Sequence, residues 1–301
     1  MKTNKPLWRI SVTTSPEAED AVGELLAGVF SQASVAYHDL EKQTSLVSVF
    51  IEQERFLPAG ARGEIAAGLK RITGFGLKTG SGKIEIAKVK PEDWAESWKR
   101  HFHPIEIGKT LLVKPSWSKK RPAKNQAVVI LDPGLSFGTG QHPTTSFCLN
   151  EIARCRENGT RTLSFLDIGT GSGILAIAAA KLGYQPVHAF DFDPESVRVA
   201  KENLRKNRVA DRVKLSRGDV TKMPLEPARQ FDLVCANLIS DLLIAERRRI
   251  MNRLKPGGTL VLAGILAAEF AEVEQAFADM QLKLHSSRVE NEWCSGVFCF
   301  G

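Results

Sequence analysis

The first 89 residues show strand-like and helix-like hydrophobic patterns in turn. Residues 7–13 alternate apolar and polar side chains, which is typical of a strand with one buried face. Ser15, Pro16 and Glu17 offer a capping hydroxyl, a proline and an acid, so they predict a helix that runs to about Phe30. Further strands are predicted at 34–39, 46–51 and 83–89, and a helix at 64–72. This order of elements matches the ferredoxin-like α+β pattern.

From residue 163 onward, short apolar runs alternate with helical segments. The predicted strands are residues 163–168, 187–190, 213–216, 231–236 and 259–263, followed by an antiparallel edge pair at 283–289 and 296–300. The predicted helices are an Ala-rich helix up to Gly183, residues 193–207, a helix from Asn237 through Arg253, and residues 267–280. Lys255-Pro-Gly-Gly258 is predicted as a turn. The alternation predicts an α/β domain with a doubly wound, largely parallel sheet and helices on both faces.

The region between these two parts contains shorter elements. Residues 91–103 begin with proline and acids and carry aromatic side chains at every fourth position, so we expect a short helix that packs between two domains. Residues 105–130 suggest short strands, and residues 131–145 are rich in turn formers, which predicts a shaped functional loop before a helix at 144–155. We assign residues 1–89 to the N-terminal domain, 90–103 to a linker helix and 104–301 to the larger domain.

The segment from Phe165 to Gly183 carries the clearest chemical signal. A buried strand leads into three alternate glycines, Gly169, Gly171 and Gly173, and then into an Ala-rich helix. Glycines let the backbone approach a ligand closely, and the helix N-terminus supplies free N–H groups. The segment therefore predicts a nucleotide-binding element.

The composition indicates the class of protein and its cellular compartment. The hydrophobic fraction of 43% and charged fraction of 25% are ordinary for a soluble globular protein. We find neither a signal peptide nor a membrane span, and five cysteines without a C-x-x-C pair favour free thiols in a reducing cytoplasm. The net charge of +7 has a local source in residues 114–124. We interpret that segment as a solvated loop, with a nucleic-acid surface as the minor alternative.

Polar side chains follow successive strands of the predicted sheet. Asp191 is placed to accept hydrogen bonds from two ribose hydroxyls, Asp219 to meet an adenine amino group, and Asn237 to lie near the reacting group. A single carboxylate after a strand is as often a helix cap, but capping does not explain the ordered set. Dinucleotide folds require G-x-G-x-x-G, whereas here Ile174 occupies the third glycine position.

These motifs resemble those of the seven-stranded S-adenosylmethionine-dependent methyltransferases, which have a Rossmann-like fold. The matching pieces are Asp167-Ile-Gly-Thr-Gly-Ser-Gly173, Asp191-Phe-Asp-Pro194, Gly218-Asp219, Asn237 and Leu254-Lys-Pro-Gly-Gly258. From Pro91 to the C-terminus the chain also resembles the bacterial methyltransferases that modify ribosomal protein L11. That resemblance is carried by Trp98-Lys-Arg-His-Phe-His-Pro104, Lys114-Pro-Ser-Trp117, Phe137-Gly-Thr-Gly-Gln-His-Pro-Thr-Thr145 and Glu292-Trp-Cys294.

The resemblance implies a set of residue roles. Asn237 would lie beside the transferred methyl group as the catalytic residue, and Asp191 would hold the ribose of S-adenosylmethionine. The implied cofactor-binding residues are Phe137, Thr145, Gly169, Gly171, Gly173, Asp191, Phe192, Asp219 and Asn237. One departure is that Leu238-Ile-Ser240 follows Asn237 where the family usually has Ile-Leu-Ala, which could alter the lip of the substrate site.

The implied partner is a protein substrate whose lysine or N-terminal amines are methylated. We expect a ribosomal protein taken free rather than assembled, a monomeric cytoplasmic enzyme, and no membrane or nucleic-acid substrate. A neutral amine must be aligned with the methyl group, which demands positioning rather than an obligatory general base. Asn237 and nearby backbone carbonyls are the candidates for that role.

Several alternative functions were compared with the sequence. His101, His103 and His142 lack the acidic or cysteine partners of a metal site, and no G-x-S-x-G elbow indicates a hydrolase. The same fold could methylate another protein lysine or a small molecule, or could serve as a non-catalytic binding module. The intact set of Gly169, Asp191 and Asn237 argues against the last of these.

Overall fold

A computed structural model describes residues 7–30, 32, 34–39, 44–51, 60–89, 103–132, 142–157 and 162–301. The chain divides into two compact units, residues 1–102 and 103–301. Residues 90–102 of the predicted linker helix lie outside the described residues, as do residues 133–141 of the predicted loop, which include Phe137.

The N-terminal unit contains one antiparallel sheet and two helices. Its strands are β1 (Leu7–Thr14), β2 (Val35–Asp39), β3 (Thr44–Ile51) and β4 (Lys83–Val89), in the spatial order β2-β3-β1-β4. The helices are α1 (Glu19–Phe30) and α2 (Ala61–Gly74). The predicted order of elements is confirmed.

Alternation along β1 builds the core of this unit. Ile10 and Val12 are fully buried in one cluster with Val47 of β3 and with Val22 and Leu26 of α1. This is the outcome expected when one face of a strand meets the apolar stripe of a helix. The predicted helix start is confirmed, since Ser15 is the N-cap residue of a 3-10 turn (Pro16–Ala18) that leads into α1. The predicted capping bond was wrong, because the Ser15 hydroxyl donates to the Lys78 carbonyl instead.

The second unit is built on a seven-stranded sheet. Its strands lie in the order β10 (Val213–Arg217), β9 (Val187–Asp191), β8 (Phe165–Ile168), β11 (Phe231–Asn237), β12 (Leu254–Leu266), β14 (Trp293–Phe300) and β13 (Leu282–Glu290). The first five are parallel, and β14 is antiparallel to both neighbours. The predicted doubly wound sheet with an antiparallel edge pair is confirmed. A separate sheet contains β5 (Ile105–Ile107), β6 (Leu111–Lys114) and β7 (Ala127–Ile130).

Helices cover both faces of the large sheet. They are α3 (Pro143–Glu157), α4 (Ile174–Lys181), α5 (Pro194–Lys206), α6 (Ser240–Ala245), α7 (Arg247–Met251) and α8 (Phe270–Ala278). Side chains from α3 and α4 join one buried cluster with the sheet, and side chains from α6, α7 and α8 join another. Residues 174–180 of α4 are all buried, which explains why its sequence is apolar around the whole helix.

Two local predictions were wrong. The helix predicted through Arg253 is divided into α6 and α7, because Glu246 leaves the helical conformation at φ −101° and ψ 12°. The predicted turn at Lys255-Pro-Gly-Gly258 instead lies inside β12. On β11, Phe231 and Leu233 are two residues apart, whereas their partners on β12, Leu254 and Thr259, are five apart. The residues between Leu254 and Thr259 therefore form a bulge.

The strand order determines where a ligand can bind. The chain leaves β8 towards β9 and β10 on one side, and later returns to β11 and β12 on the other. Ligands of such sheets occupy the crevice at the carboxyl ends of the strands where the order reverses. That crevice lies at the end of β8. The segment from Gly169 to Gly173 begins there, and we call it the glycine turn. No helix in the described part of the chain has the length and apolar character to cross a bilayer.

Candidate active site

The glycine turn is attached to the end of β9. The backbone φ angles of Gly169, Gly171 and Gly173 are 73°, 51° and 82°. Residues other than glycine rarely adopt such positive φ angles. The Gly169 N–H donates to the Phe190 carbonyl at 3.0 Å, and the Gly171 N–H donates to the Asp191 carboxylate at 2.8 Å. The turn and Asp191 therefore form one rigid element.

Asp191 is buried, and its two carboxylate oxygens are both engaged by backbone groups. Oδ2 accepts from Gly171, and Oδ1 accepts the Asp193 N–H at 3.1 Å. Because a carboxylate can accept about four hydrogen bonds, lone pairs remain for ligand hydroxyls. The next residue, Phe192, is an apolar ring that is 70% exposed. An exposed ring beside a fixed carboxylate suits a planar ligand.

Asp219 lies one strand further along the same edge. The Gly218 N–H donates to the Asp191 carbonyl at 2.9 Å, which holds Asp219 next to β9. Asp219 Oδ1 accepts the Thr221 N–H at 3.0 Å and the Thr221 hydroxyl at 2.7 Å, and these bonds lower the pKa of Asp219. Asp219 therefore caps a short 3-10 turn and stays ionised. Its Oδ2 lies 3.4 Å from the Lys222 ammonium, and the carboxylate retains lone pairs for an amino donor.

Asn237 is the last residue of β11 and lies against β12. It pairs with Ala263, and the following Leu238 N–H donates to the Ala263 carbonyl at 3.0 Å. The neighbouring Gly264 has φ +81°, and a Cβ there would lie 2.8 Å from Asn237 Oδ1. A side chain at Gly264 would thus displace the Asn237 amide. Our sequence reasoning missed Gly264, although an isolated glycine inside a strand pattern often marks a close backbone approach.

Replacing Gly264 with alanine is expected to reduce activity more than stability. The new Cβ would press on Asn237 Oδ1 and on the Leu238 carbonyl at 2.7 Å, so we expect methyl transfer to fall about 10- to 100-fold. Gly257→Ala is a matched control, because Gly257 also lies on β12 at φ +72°, but no atom of the described residues beyond its chain neighbours lies within 4 Å of the new Cβ. Both variants should lose about 1–2 kcal/mol of unfolding free energy from the left-handed backbone. Equal activities in the two variants would contradict this account.

The strand bearing Asn237 also touches the glycine turn. A Cβ on Gly169 would lie 2.6 Å from Leu238 Cδ2. The turn, the Asp191 carboxylate and the Asn237 amide therefore share one edge of the sheet, as the sequence predicted. Ser240, by contrast, is buried, and its hydroxyl donates to the Glu269 carboxylate. Its side chain joins α6 to the start of α8.

Thr145 lies near this edge, at the start of α3. The His142 ring meets the Trp293 ring at 5.0 Å, and Trp293 pairs with Leu266 at the end of β12, so α3 begins at the carboxyl edge. Thr145 is 1% exposed, and its Oγ1 has no hydrogen-bond partner among the described residues. An unpaired buried hydroxyl costs about 1–3 kcal/mol, so its position favours a polar ligand.

Asp167, the penultimate residue of β8, belongs to the glycine motif, but its role is not evident from the sequence. Burial raises the pKa of Asp167 to about 7. Hydrogen bonds from the Thr170 hydroxyl and the Ala176 backbone lower this pKa, but their effect is smaller than that of burial. The site therefore contains a carboxyl group that can titrate near neutral pH. Among the described residues, no group of three or more His, Cys, Asp or Glu side chains could hold a metal ion.

Comparisons with known proteins identify the relatives of this chain. The family model for the ribosomal protein L11 methyltransferases matches residues 6–299. The chain belongs to this family. A relative from Trichlorobacter lovleyi, named ribosomal protein L11 methyltransferase, is 42% identical over 238 residues, or 75% of each chain. One of the same name from Desulfitobacterium hafniense is 36% identical and covers 95% of this chain and 96% of its own.

A solved structure has the same fold. The crystal structure of the ribosomal protein L11 methylase from Lactobacillus delbrueckii subsp. bulgaricus superposes with a TM-score of 0.59 at 30% identity, over 66% of this chain and 99% of that chain. The chain is therefore an S-adenosylmethionine-dependent methyltransferase with a Rossmann-like α/β domain. The observed residues fit that cofactor, because the glycine cradle, the Asp191 lone pairs and the unpaired Thr145 hydroxyl all occur at one edge.

Proposed function

We propose that this methyltransferase transfers methyl groups from S-adenosylmethionine to amino groups of ribosomal protein L11, namely lysine side chains and the N-terminal amine. The observation that carries the proposal is the shared edge of the glycine turn, Asp191 and Asn237. The names of the relatives support L11 as the acceptor. Within this proposal the enzyme acts in the cytoplasm on free L11.

We propose the cofactor contacts from the hydrogen-bonding atoms of the site residues that still have lone pairs or lack a partner within the described protein. Asp191 would accept the ribose hydroxyls, and Asp219 the adenine amino group. Gly169, Gly171 and Gly173 would lie against the methionine part through their backbone, which their left-handed φ angles shape into a turn. The exposed Phe192 ring and the unpaired Thr145 hydroxyl complete the described set. Phe137 is assigned to the site by the family motif alone.

The bound sulfonium supplies a reactive methyl group, so the protein's task is to position the acceptor. The attacking amine must be neutral, although a free lysine has a pKa near about 10.4. Burial beside a positive charge lowers the pKa of an ammonium group, which favours loss of its proton on binding. The Asn237 side-chain oxygen and the Leu238 carbonyl are acceptors at the edge that can orient the remaining N–H bonds. No step requires a general base.

We assign recognition of the protein substrate to the N-terminal domain, residues 1–89, joined by residues 90–103 to the methyltransferase domain, residues 104–301. The larger unit contains every proposed cofactor contact. The smaller unit has its own sheet and core, which supports a separate binding role.

Labelled methyl transfer tests this function. Labelled S-adenosylmethionine is incubated with the enzyme and either purified ribosomal protein L11 or a whole bacterial extract, and peptide mass spectrometry locates the methyl groups. We expect label on lysine and N-terminal amines of L11. Label only on another protein or on a small molecule would contradict the assignment of L11 and favour a related methyltransferase.

A further inference from the structure

The segment that joins β6 to β7, residues 115–126, carries positive side chains and no negative ones. We call it the basic loop. Its cations, Lys119, Lys120, Arg121 and Lys124, are all exposed. Within the described part of the chain, Lys120 alone among them forms an ion pair, with Glu106 at 2.6 Å. None of the proposed cofactor contacts lies in this loop, so methyl transfer does not account for its charge.

Hydrogen bonds give the basic loop a defined backbone. The Lys114 ammonium, at the end of β6, donates to the Lys120 carbonyl at 2.7 Å and to the Ser118 carbonyl at 3.1 Å. The Ala123 N–H donates to the Gln126 side chain at 3.0 Å, and the Gln126 N–H donates to the Ala123 carbonyl at 3.1 Å. The exposed cations therefore project from a bonded loop, which lowers the entropy cost of binding a partner there.

Asp132 attaches the basic loop to the end of α5. Its carboxylate accepts the Ser116 N–H at 2.6 Å and the Ser116 hydroxyl at 2.9 Å, and it also pairs with the Lys206 ammonium. The Asn207 side chain accepts the Ile130 N–H and donates to the Ile130 carbonyl, both at 2.7 Å. The loop and the C-terminal end of α5 therefore adjoin each other.

The end of α5 extends the positive charge. Arg205, Lys206 and Arg208 are exposed there. Burial lowers the pKa of Lys181, at the end of α4, and the charges of Arg212 and Arg208 lower it further. Cations that oppose the charge of a neighbouring lysine indicate a region of positive potential. Helix C-termini favour cations, but this preference does not apply to the cations of the basic loop.

The adjoining surface lacks the apolar side chains of a protein interface. Among the described residues, the large apolar side chains that are exposed all lie outside the basic loop and the end of α5. Protein interfaces have an apolar core that is depleted in charged residues, whereas interfaces with nucleic acids are polar and strongly positive. The composition of this surface therefore favours a nucleic acid over an acidic protein.

We propose that the basic loop and the end of α5 form a binding surface for the phosphate backbone of a nucleic acid. Phosphates recur at every nucleotide, so a row of exposed cations can neutralise several of them whatever the base sequence. The nucleic acid is a partner at this surface and not the methyl acceptor. The proposal rests neither on the cofactor assignment nor on the identity of the acceptor.

The salt dependence of RNA binding provides the test. A labelled single-stranded RNA of about 20 nucleotides is titrated with the full-length chain at several salt concentrations. Each phosphate contact with a single strand contributes about 0.7 to the slope of log affinity against log salt. Lys119→Gln/Arg121→Gln should therefore reduce that slope by about 1.4. The same loss lowers the affinity about 25-fold at about 0.1 M salt, and the difference should vanish towards 1 M.

Arg248→Gln/Lys283→Gln is a matched control that removes one arginine and one lysine elsewhere in the same unit. Both residues are exposed, and their elements, α7 and β13, pack in the other core cluster from β7. This variant should keep the wild-type slope. Lys119→Arg/Arg121→Lys should keep it too, because the charge of the loop is unchanged. Thermal unfolding shows that each variant folds.

Failure of the wild type to bind the RNA at about 0.1 M salt would overturn the proposal. So would equal slopes in the loop variant and the control. A poly-glutamate chain of equal charge that binds more tightly than RNA would instead indicate an acidic protein partner. The same strand made as DNA should also bind, and binding of RNA alone would contradict recognition through the phosphates. A failure to methylate L11 contradicts only the proposed function, since RNA binding is measured without it.

Discussion

Asn237→Ala is expected to abolish most methyl transfer while leaving the fold and cofactor binding largely intact. Asn237 ends β11 at the carboxyl edge, with its side-chain oxygen held beside Gly264. Alanine removes the only proposed side-chain acceptor for the substrate amine and leaves the strand pairing with Ala263 in place. Loss of one preorganised polar group of this kind lowers turnover about 100- to 1,000-fold. Initial rates at saturating S-adenosylmethionine give the effect.

Asn252→Ala is the control for this substitution. Asn252 follows α7, where its side-chain amide donates to the Leu225 carbonyl at 3.0 Å. Its replacement should cost about 1 kcal/mol of stability, from the lost hydrogen bond, and little activity. Thermal unfolding and the dissociation constant for S-adenosylmethionine are measured for both variants. Full activity in Asn237→Ala would remove Asn237 from the mechanism.

Asp191→Ala should raise the dissociation constant for S-adenosylmethionine about 100-fold. Two hydrogen bonds from a carboxylate to ribose hydroxyls contribute about 1.5 kcal/mol each, and their loss gives about 3 kcal/mol. The substitution also frees the Gly171 N–H, which now donates to Asp191 at 2.8 Å, so the glycine turn loses its attachment to β9. Calorimetric titration with the cofactor measures the change.

Asp193→Ala separates this effect from helix capping. Asp193 lies two residues away and caps α5 by accepting the Glu195 and Ser196 N–H groups at 3.0 and 3.1 Å. Losing the cap should cost about 1 kcal/mol of stability. Cofactor affinity should change little, because its carboxylate is committed to the helix. A similar loss of affinity in both variants would mean that Asp191 acts by structure rather than by contact.

The larger sheet was predictable because its signals are local. The strands β8, β9 and β11 are short apolar runs that end in a turn residue or a polar residue, and the parallel order follows from the alternation with helices. The edge that unites Gly171, Asp191 and Asn237 could be predicted for the same reason. Strand ends in such sheets converge on one crevice.

Other features depend on contacts between distant residues, which no window of sequence displays. The bulge in β12 puts Lys255-Pro-Gly-Gly258 inside a strand, because pairing resumes at Thr259 beside Leu233. Gly264 matters only because Asn237 lies beside it. The titration of Asp167 depends on complete burial below the turn and on the Asp191 charge across it. Sequence alone gave Asp167 no role for that reason.

Methyl transfer to purified ribosomal protein L11 tests the central claim most directly. With labelled S-adenosylmethionine, the wild-type enzyme should place label on lysine and N-terminal amines of L11, and Asn237→Ala should leave them unlabelled while still binding the cofactor. Absence of label on L11 with an enzyme that binds the cofactor, or undiminished labelling by Asn237→Ala, would contradict the account.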